Sequence, residues 1–262
     1  MAAPLAWQES HIPVAGLPLR LRRAGPRGAP PLLVLHRDSG TPDQLPIHAA
    51  LAERYDLLLP EHPGYGQSER APWMRHPRDL VAIYQGLLAA LDIPRASLLG
   101  LGFGGWIAAE MASLAPRDFE RLILVGPMGI KPPQGDILDQ ALVSHTDYAR
   151  AGFHDQAAFA AVYGAEPSTD QLVEWDLCRE MSFRLAWKPY MHSQTLPHLL
   201  GAIRAPALVV WGAEDKVVPI SAADRFMAGL PGAKLAVVPD CGACVEMEKP
   251  AEFARLVTDF IG

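Results

Sequence analysis

Short apolar runs alternate with helix-patterned stretches along most of this chain, and that alternation limits its fold more than any other feature. The runs at 32–36, 55–59, 97–100, 122–126, 207–212 and 234–238 are bounded by Pro, Gly or charged residues. Apolar runs of about four to eight residues with such borders predict strands covered on both faces. Two earlier segments, 7–14 and 17–23, alternate apolar and polar residues and predict an antiparallel hairpin at a sheet edge. Arg20, Arg22 and Arg23 alternate there with leucines, as an exposed strand face would. Helical spacing recurs at 78–91, 106–114 and 252–261. Strands alternating with helices predict a doubly wound, mostly parallel sheet of eight strands with helices on both faces.

One stretch breaks the pattern. From 131 to 203 no strand is legible, and a Pro-Pro pair opens a run of helical pieces rich in Trp, Phe, Tyr, Met and His. This predicts a helical lid inserted between two core strands, too embedded to be a domain. The 262 residues, half of them hydrophobic, suit one domain over 1–262 with a sizeable core. A net charge of −6 and scattered arginines exclude a nucleic-acid partner, which needs clustered cations. No apolar run reaches the roughly 18–20 residues of a membrane span. The opening MAAPLAWQES lacks the pattern of a secretory leader. Three cysteines give no disulfide framework and suit a reducing cytoplasm. Oligomeric state is silent, and a homo-oligomer stays open.

The most specific stretch is Leu98-Leu99-Gly100-Leu101-Gly102-Phe103-Gly104-Gly105-Trp106. A strand runs through close-set glycines straight into a helix, the layout of a G-x-S-x-G nucleophile elbow. Further motifs follow the same order: Leu35-His36 at a strand end, Glu61-His62-Pro63-Gly64-Tyr65-Gly66-Gln67-Ser68, Val209-Val210-Trp211-Gly212-Ala213-Glu214-Asp215 before Pro219, and Pro239-Asp240-Cys241-Gly242-Ala243 before Glu248-Lys249-Pro250. Over nearly its full length the chain resembles the α/β-hydrolase superfamily. The branch is the lidded one that includes ring-cleavage-product (carbon–carbon) hydrolases, esterases and haloalkane dehalogenases.

The resemblance assigns roles and reveals gaps. The nucleophile position falls on Gly102 and the histidine position on Ala243. The acid falls on Asp215, at a familiar 28-residue distance from position 243. The oxyanion turn reads His36-Arg37-Asp38, without the usual glycine. Glycine has no atom to add to an acyl carbon. Alanine cannot accept a proton, so Asp215 has no imidazole to orient. Backbone N–H groups of Phe103 and Arg37 remain as oxyanion donors. His36 is the nearest substitute base, although a structural turn role is the plainer reading. Phe153, Trp175, Trp187, Tyr190 and Cys244 are expected at the pocket.

Competing readings are weaker. Gly100-x-Gly102-x-x-Gly105 matches the dinucleotide fingerprint, but on a middle strand with no ribose-binding acid after the next one. Cys241-x-x-Cys244 lacks a second ligand pair for zinc and coincides with the histidine loop. The lid histidines His145, His154, His192 and His198 show no i, i+4 pair with a carboxylate, so no metal or cofactor is expected. Three functions stay open. One is a hydrolase relative, degenerate or inactivated, that holds a small apolar carbonyl or ester compound. Another is a non-catalytic ligand-binding protein. The third is a serine-free His–Asp enzyme whose histidine at 243 has been replaced.

Overall fold

The computed structural model describes residues 5–262. The first four residues of the opening stretch therefore lie outside the description. The strands are β1 (Gln8–Val14), β2 (Leu17–Ala24), β3 (Pro31–Leu35), β4 (Asp56–Pro60), β5 (Ala96–Leu101), β6 (Phe119–Val125), β7 (Ala207–Gly212) and β8 (Lys234–Val238). They form one sheet in the order β1-β2-β4-β3-β5-β6-β7-β8. The β1–β2 and β2–β4 pairs are antiparallel and the other five parallel. The apolar runs make this sheet because alternate residues point to opposite faces. Leu33, Leu35, Leu98, Leu122, Leu124 and Val209 enter one buried cluster, whereas Leu32, Val34, Leu99, Ile123, Val125 and Val210 enter the other.

Helices cover both faces. On one side lie α2 (Pro77–Ala90), α3 (Phe103–Leu114) and α8 (Ser221–Gly229); on the other lie α1 (Pro46–Ala52), the one-turn α9 (Val245–Glu248) and α10 (Pro250–Ile261). His76 and Asp79 form a capping box at the start of α2, with Pro77 just inside. Helix α3 is buried from Phe103 to Ser113. Its single acid, Glu110, is held by Arg78 Nε at 2.8 Å and Trp106 Nε1 at 3.3 Å. No helix among the described residues is long and apolar enough to cross a membrane.

Between β6 and β7 lie α4 (His145–Ala151), α5 (Gln156–Tyr163), α6 (Thr169–Ala186) and α7 (Leu196–Leu199). Helix α6 gives Trp175 to one core cluster and Cys178, Met181 and Leu185 to the other. It therefore crosses the end of the sheet rather than covering a face. Arg184 anchors it by donating to the carbonyls of Met74 (3.1 Å) and Pro72 (2.6 Å).

The arginine-bearing strand differs from the sequence expectation. Arg20 and Arg22 are buried, not exposed. Other segments lie over this face of β2: the Trp7 ring lies 5.8 Å from the Arg22 guanidinium, and Asp43 approaches both arginines. Acids make burial tolerable: Arg20 bridges Glu9 (2.8 Å) and Glu61 (3.0 Å), and Arg22 pairs with Asp43. An alternating pattern does not distinguish a solvated face from an ion-paired one.

The sheet-to-helix joint is tightly packed. A Cβ on Gly104 would lie 2.1 Å from the Leu35 carbonyl oxygen, and one on Gly100 2.6 Å from Gly105 Cα. Gly104→Ala is expected to destabilise the chain by about 3 kcal/mol or more, because backbone must move. Gly201→Ala, where the added carbon meets open space, should stay within about 0.5 kcal/mol. Urea denaturation of the two variants checks the contrast.

Candidate active site

The carboxyl ends of β3, β5, β6 and β7 converge on Gly102. This residue joins β5 to α3 with φ 52° and ψ −111°, a backbone shape that side chains adopt only under strain. It is fixed from both sides. Its N–H donates to Val125 O at 2.9 Å, and its carbonyl accepts from Gly105, Trp106 and Met128. Phe103 is the first residue of α3, so its N–H belongs to the first-turn donors with no acceptor inside the helix.

The turn after β3 is built by two imidazoles packed face to face with a tilt of 33°, His36 and His62, with centroids 3.6 Å apart. His62 N–H donates to His36 Nε2 at 2.8 Å, so His36 carries its proton on Nδ1 and donates to Arg37 O at 2.7 Å. His62 Nε2–H in turn donates to His36 O at 3.0 Å, and its Nδ1 accepts from Tyr84. Burial drives the His36 pKa down to about 3. Both ring nitrogens are committed and the ring is neutral, so His36 has no lone pair to offer as a base.

Arg37 fills the space beside Gly102. A Cβ on Gly102 would lie 3.1 Å from Arg37 Nη1 and 3.7 Å from Asp38 Oδ1. The guanidinium grips Glu246 through two parallel bonds, Nε to Oε1 at 2.7 Å and Nη2 to Oε2 at 2.8 Å, and also donates to Ala243 O. Arg37 is 5 % exposed and Glu246 1 %. Burial pushes the Arg37 pKa down, but the Glu246 carboxylate more than offsets this and holds it well above its ordinary value. Glu246 is the site residue that sequence reasoning missed. Its signal was a charge on the histidine loop facing a charge in the oxyanion turn.

Two more carboxylates complete the site. Asp38 Oδ2 accepts from Gln140 Nε2 and Tyr148 Oη, each at 2.6 Å, which ties the end of β3 to the helical segment. Asp215 Oδ1 accepts from Val217 and Val218 N–H, both at 2.8 Å, whereas Oδ2 is buried with no partner among the described residues. Burial raises the Asp215 pKa to about 6, against the opposing pull of those two N–H groups and of Arg37. Glu248 accepts from Gly242 N at 2.8 Å, His154 N at 3.1 Å and Asp155 N at 2.7 Å, so the loop carrying Ala243 is stapled to the segment between α4 and α5.

Little space remains. A cavity of about 20 Å³ lies among Arg37, Asp38, Tyr148, Ala243 and Cys244. Another of about 10 Å³ lies among Asp38, Gln140, His145, Trp175 and Arg179. Each is about the size of one water molecule. Of the aromatic and thiol residues expected at a pocket, Cys244 and Trp175 line these cavities. The other three do not. Phe153 packs edge-on against Phe159 at 5.5 Å. Tyr190 donates its hydroxyl to Leu138 O and accepts from Gln140 N. Trp187 is half exposed against Phe183. It follows α6 and lies twelve residues from Trp175, about 120° around a helix axis, so the two cannot share a face. Burial raises the thiol pKa of Cys241 and Cys244, and both are free and buried, which makes them poor nucleophiles.

Comparison with known proteins gives a consistent answer. Residues 15–256 match the model of the alpha/beta hydrolase family. The chain is 30% identical over 230 residues to 2-hydroxy-6-oxononadienedioate/2-hydroxy-6-oxononatrienedioate hydrolase of Paraburkholderia phymatum, covering 79% of this chain and 77% of the relative. It is also 30% identical over 224 residues to 2-hydroxy-6-oxo-6-phenylhexa-2,4-dienoate hydrolase of Comamonas testosteroni, with the same two coverages. Among solved structures, a meta-cleavage product hydrolase (CumD) superposes with a TM-score of 0.77 at 22% identity, covering 97% of each chain. A bacterial membrane phospholipase A gives 0.82 at 23% identity, covering 98% of this chain and 86% of the other. With such a sheet, such a strand-to-helix joint and these relatives, the chain belongs to the α/β-hydrolase family, in the branch that contains hydrolases of carbon–carbon bonds.

Proposed function

We propose that this chain has given up serine-hydrolase turnover and uses its hydrolase scaffold to hold a small molecule without transforming it. The observation that carries this reading is the Arg37 guanidinium, locked on Glu246 and 3.1 Å from where a nucleophile's Cβ would lie. Acyl transfer needs a nucleophile, a base beside it and an open place for the substrate carbonyl. Position 102 offers no atom, position 243 offers a methyl group, and the space between them holds an ion pair. The segment 131–203 acts as a lid over the strand ends, fastened by the Asp38–Tyr148 and Glu248 contacts. The relatives' names describe hydrolases of hydroxy-oxo-dienoates. The cavities beside Gly102 are each about the size of one water molecule, too small for a compound of that kind, so the held molecule lies elsewhere on the scaffold. The three free, buried thiols suit a reducing compartment such as the cytoplasm.

A second reading has its own support. The unpartnered Oδ2 of Asp215 is an acceptor of the kind that orients an imidazole, and the loop bearing Ala243 runs beside it: a Cβ on Gly126 would lie 3.1 Å from that oxygen and 3.9 Å from Ala243 O. With histidine at 243, a His–Asp dyad could act on water or a C–H acid without a serine.

Hydrolysis of p-nitrophenyl acetate separates the readings. The unaltered chain is expected to show no burst, at a rate on the order of a millionfold below a working triad. Gly102→Ser with Ala243→His should stay silent while Arg37 fills the space, and should gain a burst once Arg37→Gly and Glu246→Leu are added. A burst from the unaltered chain would contradict the proposal. Activity in Ala243→His alone would establish the serine-free dyad.

Asp215 also gives a pH prediction. Its folded-state pKa of about 6 exceeds the ordinary 3.8, so the folded state binds a proton more tightly than the unfolded one. Ionisation of Asp215 therefore costs stability at neutral pH, and that cost fades as pH falls through 6 toward 4. Asp215→Asn should raise stability at pH 7.5 by about 1–3 kcal/mol, with the gain shrinking toward zero near pH 4. Denaturant midpoints at several pH values test this; an equal gain at all pH values would refute it.

A further inference from the structure

A far larger cavity lies away from Gly102. It is a cleft of about 530 Å³ between α6 and the loops at 41–43 and 61–67. Three kinds of surface meet in it. The first is negative charge in excess. Arg20 is shared by Glu9 and Glu61, and Arg22 is taken by Asp43, but Glu174 has no cationic side chain within ion-pair distance among the described residues. Its one side-chain contact is a long bond of 3.4 Å from Gln171 Nε2. Burial raises its pKa, and the nearby Glu61 and Asp43 carboxylates push the same way.

The second surface supplies unused donors. Arg20 lines the cleft at only 5 % exposure, and its Nε–H has no partner. The Thr41 hydroxyl, on the same lining, is also buried and unpartnered. Such groups each carry a desolvation cost that a ligand oxygen would remove. The third surface is apolar. Val173 and Leu177, one turn apart on α6, line the cleft while 55% and 42% exposed. Large side chains left in water beside a cleft with unmet polar groups are what a bound amphipathic molecule would cover.

We propose that this cleft binds a small primary ammonium compound that carries an apolar body and an oxygen acceptor. The ammonium group pairs with Glu174, the apolar body lies along Val173 and Leu177, and the oxygen accepts from Arg20 Nε–H or the Thr41 hydroxyl once the lining side chains turn to uncover these covered donors. Binding is non-covalent and leaves the compound unchanged. The proposal deepens the ligand-holding reading above, but it rests on different residues. Failure here would leave the argument at Gly102 intact, and esterase activity there would leave the cleft intact.

Titration calorimetry of the full chain at low ionic strength tests it with three probes. L-phenylalaninol has the ammonium, the hydroxyl and a phenyl ring. 3-phenylpropan-1-ol lacks the charge, and L-phenylalanine adds a repelled carboxylate. Saturable binding of phenylalaninol is expected, tighter by about tenfold or more than either comparator, and weaker as salt rises. Glu174→Gln should weaken it by about tenfold or more. So should Val173→Lys, an exposed position where the fold tolerates change. No saturable heat, equal binding of the uncharged alcohol, or unaltered binding in both variants would overturn the proposal.

Discussion

A guanidinium taken out of water keeps its charge only if an anion meets it with good geometry, and the region around Gly102 is organised by that requirement. Arg37 sits where the turn after β3 leaves the sheet, and Glu246 sits in the loop after β8. Their fork-to-fork contact joins segments 209 residues apart in sequence. It draws Ala243 O onto the same guanidinium and occupies the volume above the strand-to-helix joint. Asp38, next in sequence, is buried with it and fastens the helical segment through Tyr148 and Gln140. A buried ion pair of this kind adds little net stability over an apolar filling, yet breaking one half of it is costly. It therefore acts as a constraint on what the site can become, more than as a source of strength.

The contrast among the glycines sharpens the point. Gly100 and Gly104 are needed because backbone passes within 3 Å of where their Cβ atoms would be, and at Gly105 the Pro127 Cβ lies 2.8 Å away. Gly102 is different: its nearest obstacle is the tip of a side chain, Arg37 Nη1 at 3.1 Å. The scaffold around it still has the shape of an elbow. In the function proposed above, what closes the site is one arginine and its partner.

The fold was legible because its signals are local. Each parallel strand is a short apolar run, and the 2-residue period sorted its side chains between the two clusters without help from tertiary contacts. Motif order alone singled out Gly102, Ala243 and Asp215; the structure puts Gly102 at the strand-to-helix turn, and Asp215 and Ala243 in the loops after β7 and β8. Three features were not legible. Arg20 and Arg22 follow the same alternating pattern whether solvated or paired with Glu61 and Asp43, which lie far along the chain. Glu246 gains meaning only when β8's loop meets Arg37. The aromatic residues of α6 and its end could not be told apart because composition does not reveal helical phase: Trp175 turns inward to line a cavity, as expected, while Trp187 faces water. For the arginines and Glu246 the missing information was a contact between distant segments.

The central claim is that Arg37 and Glu246 are bound to each other in place of a working site, and a double-mutant cycle measures that directly. Arg37→Met, Glu246→Leu and the pair together would be unfolded in urea. Each single change should cost about 3–5 kcal/mol by stranding a buried charge, while the double should return to within about 1–2 kcal/mol of the starting chain. Single effects that are small, or that simply add in the double variant, would show that the two side chains do not depend on each other and would contradict the account.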